Sequence, residues 1–162
     1  MTEIITDIVR LRRKCYDVIP GDIDDIVAEM LETMKQTTEC LGLAAPQIGY
    51  PLRMFVMKAV AFDASWDVIY LDEPPICIIN PVVAFIRGTM TLMETCLSLP
   101  GLSVEVRRAR EVKIKGLRAD WSHREWMFGG LQARVALHEL DHLSGKLMID
   151  YQEVVDDPQA GN

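Results

Sequence analysis

Two helices bracketing a run of short antiparallel strands are what the sequence predicts, and three patterns point there. Ile23, Ile26, Val27, Met30, Leu31 and Met34 recur at helical spacing. Glu111-Val-Lys-Ile-Lys-Gly alternates with period two, as a half-buried strand does. Val135-Ala-Leu-His-Glu-Leu-Asp-His-Leu-Ser-Gly145 places apolar Val135 and Leu143 around a polar centre and stops at Gly145, a residue suited to the position just past a helix. With 162 residues, a single domain spanning 1–162 can build a proper core. Residues 153–162 read as a frayed acidic tail.

In chain order, residues 1–20 form an N-terminal arm with a basic run, Arg10-Leu-Arg-Arg-Lys14. Pro20-Gly21 breaks the chain, and Asp22 is the expected N-cap of an amphipathic helix running to about Thr37. Asp24 and Asp25 suit the positive end of its dipole. Cys40 to Gly49 is small, tight and turn-rich. Residues 53–59, 76–80 and 82–86 are β-like, rich in Val, Ile, Phe and Met. Residues 61–75 between them read as an exposed irregular loop. Residues 90–99, 103–106, 111–118 and 125–128 are further strands, the last three antiparallel. Gly129-Gly130 opens the final helix, which spans residues 131–143, and residues 147–149 read as a short strand.

The formal charge of −7 argues against a general nucleic-acid binder, which would carry a basic face. Arg107-Arg108-Ala-Arg110, the densest cationic run of the central region, reads as a solvated strand end or turn. No apolar stretch approaches the roughly 20 residues of a membrane span. The start, Met1-Thr-Glu-Ile-Ile-Thr-Asp, carries acid where a secretory signal would carry base. Cys15, Cys40, Cys77 and Cys96 include no C-x-x-C pair, which reads as reduced thiols in a cytoplasmic chain.

The chemistry concentrates in His138-Glu139-Leu140-Asp141-His142. Positions i and i+4 lie on one face of a helix, so two imidazoles spaced this way can grip one metal ion. Glu139, about 100° around the helix from His138, can reach a metal-bound water and act as general base. A catalytic ion needs a third protein ligand and an open position. His123 lies in an expected hairpin tip. Cys96, at a strand end before a turn, is the better candidate, although a lone Cys also serves as a small buried hydrophobe. Gln47, the polar side chain of an apolar loop, either ties that loop together or donates an N–H to a developing oxyanion.

Three segments together resemble the peptide deformylases. Leu41-Gly-Leu-Ala-Ala-Pro-Gln-Ile-Gly49 matches the family's G-x-G-x-A-A-x-Q, Glu94-Thr-Cys-Leu-Ser98 its E-G-C-L-S, and His138-Glu-Leu-Asp-His142 its Q-H-E-x-D-H. The resemblance implies an α+β fold with antiparallel sheets packed around a central metal-bearing helix. It implies Cys96, His138 and His142 as ligands of one divalent ion, typically Fe²⁺ in the family, with Zn²⁺, Ni²⁺ or Co²⁺ as substitutes. The reaction implied is removal of the formyl group from N-formylmethionine of nascent peptides, with release of formate.

In that reaction Glu139 is the base, and Gln47 and the Leu97 backbone N–H stabilise the oxyanion. Leu131, Arg134 and Val135 resemble the lining of the methionine pocket, and Leu41, Gly42 and Thr95 would flank the extended substrate. Glu94 and Asp141 resemble groups that orient the ligands, with Arg108 a partner for Asp141. Docking near the ribosome exit tunnel and a monomeric state are also expected.

Cys40, Thr95 and Leu137 depart from the motifs, standing where the family has Gly, Gly and Gln, and altered specificity or metal behaviour is expected from them. The sequence also ends without the long C-terminal helix of many bacterial members. Two rivals are a zincin-type peptidase, which would need a ligand downstream of His142, and a formyl-peptide or ribosome binder with little turnover.

Overall fold

The computed structural model describes residues 2–37 and 39–152. Its centre is an antiparallel sheet of β1 (Gly42–Ala44), β2 (Met54–Met57), β5 (Ile76–Arg87), β8 (Glu111–Leu117) and β9 (His123–Gly129), hydrogen-bonded in that order. Two hairpins stand apart from it: β3 (Val60–Phe62) with β4 (Val68–Tyr70), and β6 (Met90–Glu94) with β7 (Val104–Arg108). Helix α1 (Ile8–Leu11) is a single turn, α2 (Asp24–Gln36) precedes the sheet, and α3 (Gly130–Leu143) follows it.

Strand β2 shows how the sheet is held. Successive side chains point to opposite faces, and all four of its residues are buried. Phe55 and Met57 join the cluster that includes Leu131, Val135 and Leu143 of α3. Met54 and Val56 join the cluster that includes Met30 and Met34 of α2. One strand thus couples both helices, each fully buried side chain contributing about 1.5–3 kcal/mol.

Helix α3 leaves β9 without a linker. Gly130 takes φ +55, a turn that an L side chain disfavours. The helix stops where Gly145 takes φ +70. A Cβ at Gly145 would also meet the Arg12 carbonyl oxygen at 2.8 Å, so the N-terminal arm requires glycine there. That arm is strapped down along its length. The Ile5 N–H donates to Gln47 O at 2.8 Å. Arg12 reaches Gly145 O at 3.2 Å and both oxygens of Asp150 at 2.6 and 2.8 Å.

Several expectations need correcting. Residues 61–75 are not an irregular loop throughout: β3 and β4 pair within and beside them, closed by the Asp63 carboxylate, which accepts from Ser65 N and Asp67 N at 2.7 and 3.0 Å. Residues 76–80 and 82–86 belong to one strand, β5. Asn80 bends it at φ +48 and is locked by hydrogen bonds to both backbone groups of Val18, at 2.8 and 2.9 Å.

Residues 147–149 do not form a strand but enter a 3₁₀ turn, Met148–Tyr151, closed as the Leu147 N–H donates to Asp150 Oδ2 at 2.9 Å. The strand expected over residues 90–99 ends at Glu94, and Cys96 lies in the turn beyond. Helix α2 begins one residue later than an Asp22 cap implies, with Ile23 at its boundary and Asp22 Oδ1 accepting from Asp24 N at 3.3 Å. The tail over 153–162 lies outside the described residues.

Candidate active site

Helix α3 presents His138 and His142 one turn apart, with ring centroids 5.1 Å from each other. The turn after β6, pinned as Leu99 N donates to Cys96 O at 3.0 Å, brings Cys96 against the same face. The donor atoms of Cys96, His138 and His142 all lie within 4.8 Å of one another. Cys96 Sγ stands 3.3 Å from His142 Nε2. With metal–sulfur and metal–nitrogen bonds of about 2.3 and 2.1 Å, a shared tetrahedral ion requires roughly 3.5 Å between such atoms. One thiolate and two imidazoles are also a donor set that borderline divalent ions accept. The residues fit a divalent metal.

The second nitrogen of His138 is held from behind. Glu94 Oε2 lies 2.9 Å from His138 Nδ1, which leaves Nε2 for an ion. Glu94 also accepts from Arg108 Nε and Nη2, at 2.6 and 2.9 Å, and from Arg134 Nη1. Burial alone would raise this carboxyl, but His138 and Arg108 outweigh it and hold Glu94 at about 2. Arg108 continues to Asp141 Oδ2 at 2.8 Å, and Tyr151 Oη donates to the same oxygen at 2.8 Å. Arg108 is therefore not a solvated strand end but a buried hub, 5 % exposed. His142 differs from His138: its Nδ1 is buried with no hydrogen-bond partner. Burial keeps His142 well below the usual imidazole range, as an uncharged ligand must be.

Glu139 sits beside the ligands, 3 % exposed. Burial pushes its carboxyl up to about 7 against the pull of His138 and Arg108. Its Oε2 is a buried acceptor with no hydrogen-bond partner among the described residues. Gly42 makes room for it. A Cβ there would meet Glu139 Oε1 at 2.6 Å and Val135 Cγ1 at 2.8 Å.

Gln47 is buried and oriented at both ends. Its Oε1 accepts from Ala44 N at 2.8 Å, while Nε2 donates to Ser98 Oγ at 3.2 Å and contacts Cys96 Sγ at 3.6 Å. A cleft of about 670 Å³ opens over this group. Leu41, Gly42, Thr95, Leu97, Leu131 and Val135 border it, as do Arg134 and Glu94. Asp141, bonded to Arg108, is not among the residues that border the cleft. His123 begins β9 and is not in the ligand group.

The departures from the motifs sit quietly. Cys40 is not among the residues with positive φ, so its backbone is unstrained. Its thiol donates to Gly42 O at 3.0 Å and is pushed up to about 12 by burial and by Glu139. Thr95 is exposed at the cleft rim, and Leu137 packs against the core beneath α3. Sequence reasoning passed over Ser98 and Tyr151, and read Arg108 both as part of a solvated cationic run and as a partner of Asp141. The alternation Val104-Glu-Val-Arg-Arg108 was the available signal, since period two places Arg108 on the same face as buried Val104 and Val106.

Known proteins agree with this geometry. The profile of the polypeptide deformylase family matches residues 2–157. A peptide deformylase of Chlorobium phaeobacteroides is 39% identical over 144 residues, which cover 89% of this chain and 73% of that protein. The crystal structure of a peptide deformylase from Ehrlichia chaffeensis superposes with a TM-score of 0.83 at 32% identity, covering 95% of this chain and 89% of that one. A probable peptide deformylase from Synechococcus phage S-SSM7 superposes with a TM-score of 0.78 at 29% identity, covering 94% and 99%. With the family profile matching residues 2–157 and these relatives and structures alongside, the chain belongs to the polypeptide deformylase family.

Proposed function

We propose that this chain hydrolyses the N-formyl group of formylmethionine on nascent peptides, releasing formate and leaving a free amine. The observation that carries this is the convergence of one thiol and two imidazoles beside a buried carboxylate with an unpartnered oxygen. A divalent ion bound there would acidify a water and draw charge from the formyl oxygen.

The protein's own groups do the rest. Glu139, held close to neutral pH by burial, takes a proton from the attacking water and delivers it to the departing amine. Gln47 Nε2, fixed by the Ala44 contact at its other end, supplies an N–H to the oxyanion, with the Leu97 backbone N–H beside it. Glu94 keeps Nε2 of His138 free for the ion. Leu131, Arg134 and Val135 take the methionine side chain, and Leu41, Gly42 and Thr95 flank the peptide. Thr95 adds bulk at the rim and narrows what the cleft accepts.

Fe²⁺ is the proposed ion, as the resemblance to the family implies, and a thiolate with two imidazoles would also accept Zn²⁺, Ni²⁺ or Co²⁺. A single catalytic domain acting as a monomer in the cytoplasm, near the ribosome exit tunnel, fits a substrate that is a nascent chain. No helix among the described residues is long and apolar enough to cross a membrane. A zincin-type peptidase is not favoured, because the third ligand comes from upstream, at Cys96.

The test is formate release from a formyl-Met tripeptide by metal-loaded protein. Glu139→Ala should lower kcat by at least about a hundredfold, the range of a lost general base. Wild-type protein that carries its ion and yields no formate would refute the assignment.

A further inference from the structure

Two hairpins of this chain close with the same turn, and each places a tryptophan at its strained position. In β3–β4 the Trp66 N–H donates to Asp63 O at 3.1 Å and the Asp63 N–H to Asp67 O at 3.0 Å. In β8–β9 the Trp121 N–H donates to Arg118 O and the Arg118 N–H to Ser122 O, both at 2.9 Å. Both tryptophans take φ +66. Hairpin turns commonly use glycine for that conformation, in which a bulky side chain is out of place. Trp121 packs against the cluster that includes Met30 and Met34, which gives it a structural reason to be there. Trp66 does not pack away in this manner: it is 63% exposed. Its ring meets that of Phe62, with centroids 5.4 Å apart. Phe62 and Val68, direct partners across the hairpin, both border the cleft. Trp66 is not itself in that wall, so the indole stands just outside it. Strain kept without burial points to a task at the surface.

We propose that Phe62 and Trp66 form an apolar shelf that extends the cleft and binds a hydrophobic side chain of the formylated peptide, three to five residues from its start. This rests on the assignment of the cleft to formylmethionyl peptides. A nascent chain runs on past its first residue and must leave the cleft across the rim. An extended chain advances about 3.3 Å per residue, so one that crosses Phe62 passes the indole within two residues. A rigid aromatic ring offers a large contact area at small cost in entropy. It accepts any apolar side chain without demanding one sequence, as an enzyme that acts on many chains requires. The contact is made away from the formyl group and is the same in substrate and transition state, so it tightens binding without speeding the chemistry.

The experiment measures formate release from formyl-Met-Ala-Ser, from formyl-Met-Ala-Ser-Ala-Ser, and from that pentapeptide with phenylalanine at its third, fourth or fifth residue, using metal-loaded wild type and Trp66→Gly. Glycine suits the turn, so the variant removes the indole and relaxes the hairpin. In the wild type at least one phenylalanine peptide should have a KM about fivefold below that of the plain pentapeptide, the worth of one aromatic contact, with kcat unchanged. In Trp66→Gly that difference should vanish, while formyl-Met-Ala-Ser is processed as in the wild type. Equal KM values for all four pentapeptides in the wild type overturn the proposal and leave the deformylase assignment intact. So does a phenylalanine preference that survives in Trp66→Gly. A variant slowed alike on every peptide makes Trp66 a structural residue, which also overturns the proposal. No formate from the wild type with any peptide, the tripeptide included, overturns both.

Discussion

The molecule carries two networks of opposite charges with nearly the same distances and very different surroundings. In one, Glu94 meets Arg108 at 2.6 Å and Arg108 meets Asp141 at 2.8 Å. In the other, Glu125 on β9 meets Lys113 and Lys115 on β8 at 2.8 and 2.9 Å. Side-chain exposure is 2% for Arg108 and 5% for Glu94, against 39%, 47% and 57% for Lys113, Glu125 and Lys115. Water screens the second network, and its long side chains lose entropy by pairing. In the first, Glu94 and Arg108 depend on each other, because neither can turn to solvent. Separation alone therefore says little, and burial decides which network the site depends on.

Glu94→Ala should test this most severely. It removes the carboxylate partner of Arg134 and one of the two carboxylates on Arg108 and releases His138, so urea denaturation should show a loss of about 3–5 kcal/mol and bound metal should fall with it. A loss below about 1 kcal/mol would place both networks in one class. Arg108→Met should cost less, about 2–3 kcal/mol, because Glu94 keeps Arg134 and Asp141 keeps Tyr151. If Glu94→Leu with Arg108→Met proves more stable than Glu94→Ala alone, the penalty belongs to unpaired charge and not to lost attraction.

Smaller still is the half-exposed strap. Asp150→Asn should cost about 1 kcal/mol by weakening the pair with Arg12. The Arg12 guanidinium holds Asp150 at about 2, below the ordinary value of about 3.9. Stability from this carboxylate is thus complete above about pH 4 and lost as pH falls toward 2. A wild-type midpoint that declines over that window more steeply than the Asp150→Asn midpoint would bear this out. Glu125→Gln should leave the midpoint unchanged within error, and any residual shift should vanish in 1 M salt, where charges are screened beyond about 3 Å.

Patterns that are periodic or local were legible in the sequence. Apolar spacing marked α2, alternation marked β8, and H-E-x-x-H marked the ligand-bearing face of α3. Cys96 could be nominated from its place before a turn, but not chosen from residues alone, since ligand geometry depends on where β6 ends. The β3–β4 hairpin was hidden because its strands are three residues each and the Asx turn between them looks like loop. Residues 147–149 looked like a strand because a short apolar run does not show its period; the Asp150 carboxylate curls it into a 3₁₀ turn. Arg108 was misjudged because a run of cations suggests solvent, whereas its pleat position faces inward. Arg134 was placed in the pocket by resemblance, but its anchoring to Glu94, Met90 O and Val106 O came only from the fold.

The strap also bears on when the protein becomes whole. Arg12 bonds to Gly145 O and Asp150, partners 133 and 138 positions further along the chain. These contacts cannot form while the chain is still being synthesised beyond Arg12 and before the last turn has emerged. Long-range closure of this kind is slow and comes late. Helix α1, made well before its partners, is then among the last to be locked, and the Ile5 clamp on the Gln47 carbonyl shares its N-terminal arm. Pulsed hydrogen exchange during refolding should show the Leu11 and Arg12 amides protected after those of β2 and β5. The N-terminal arm thus closes on the turn that follows the ligand-bearing helix.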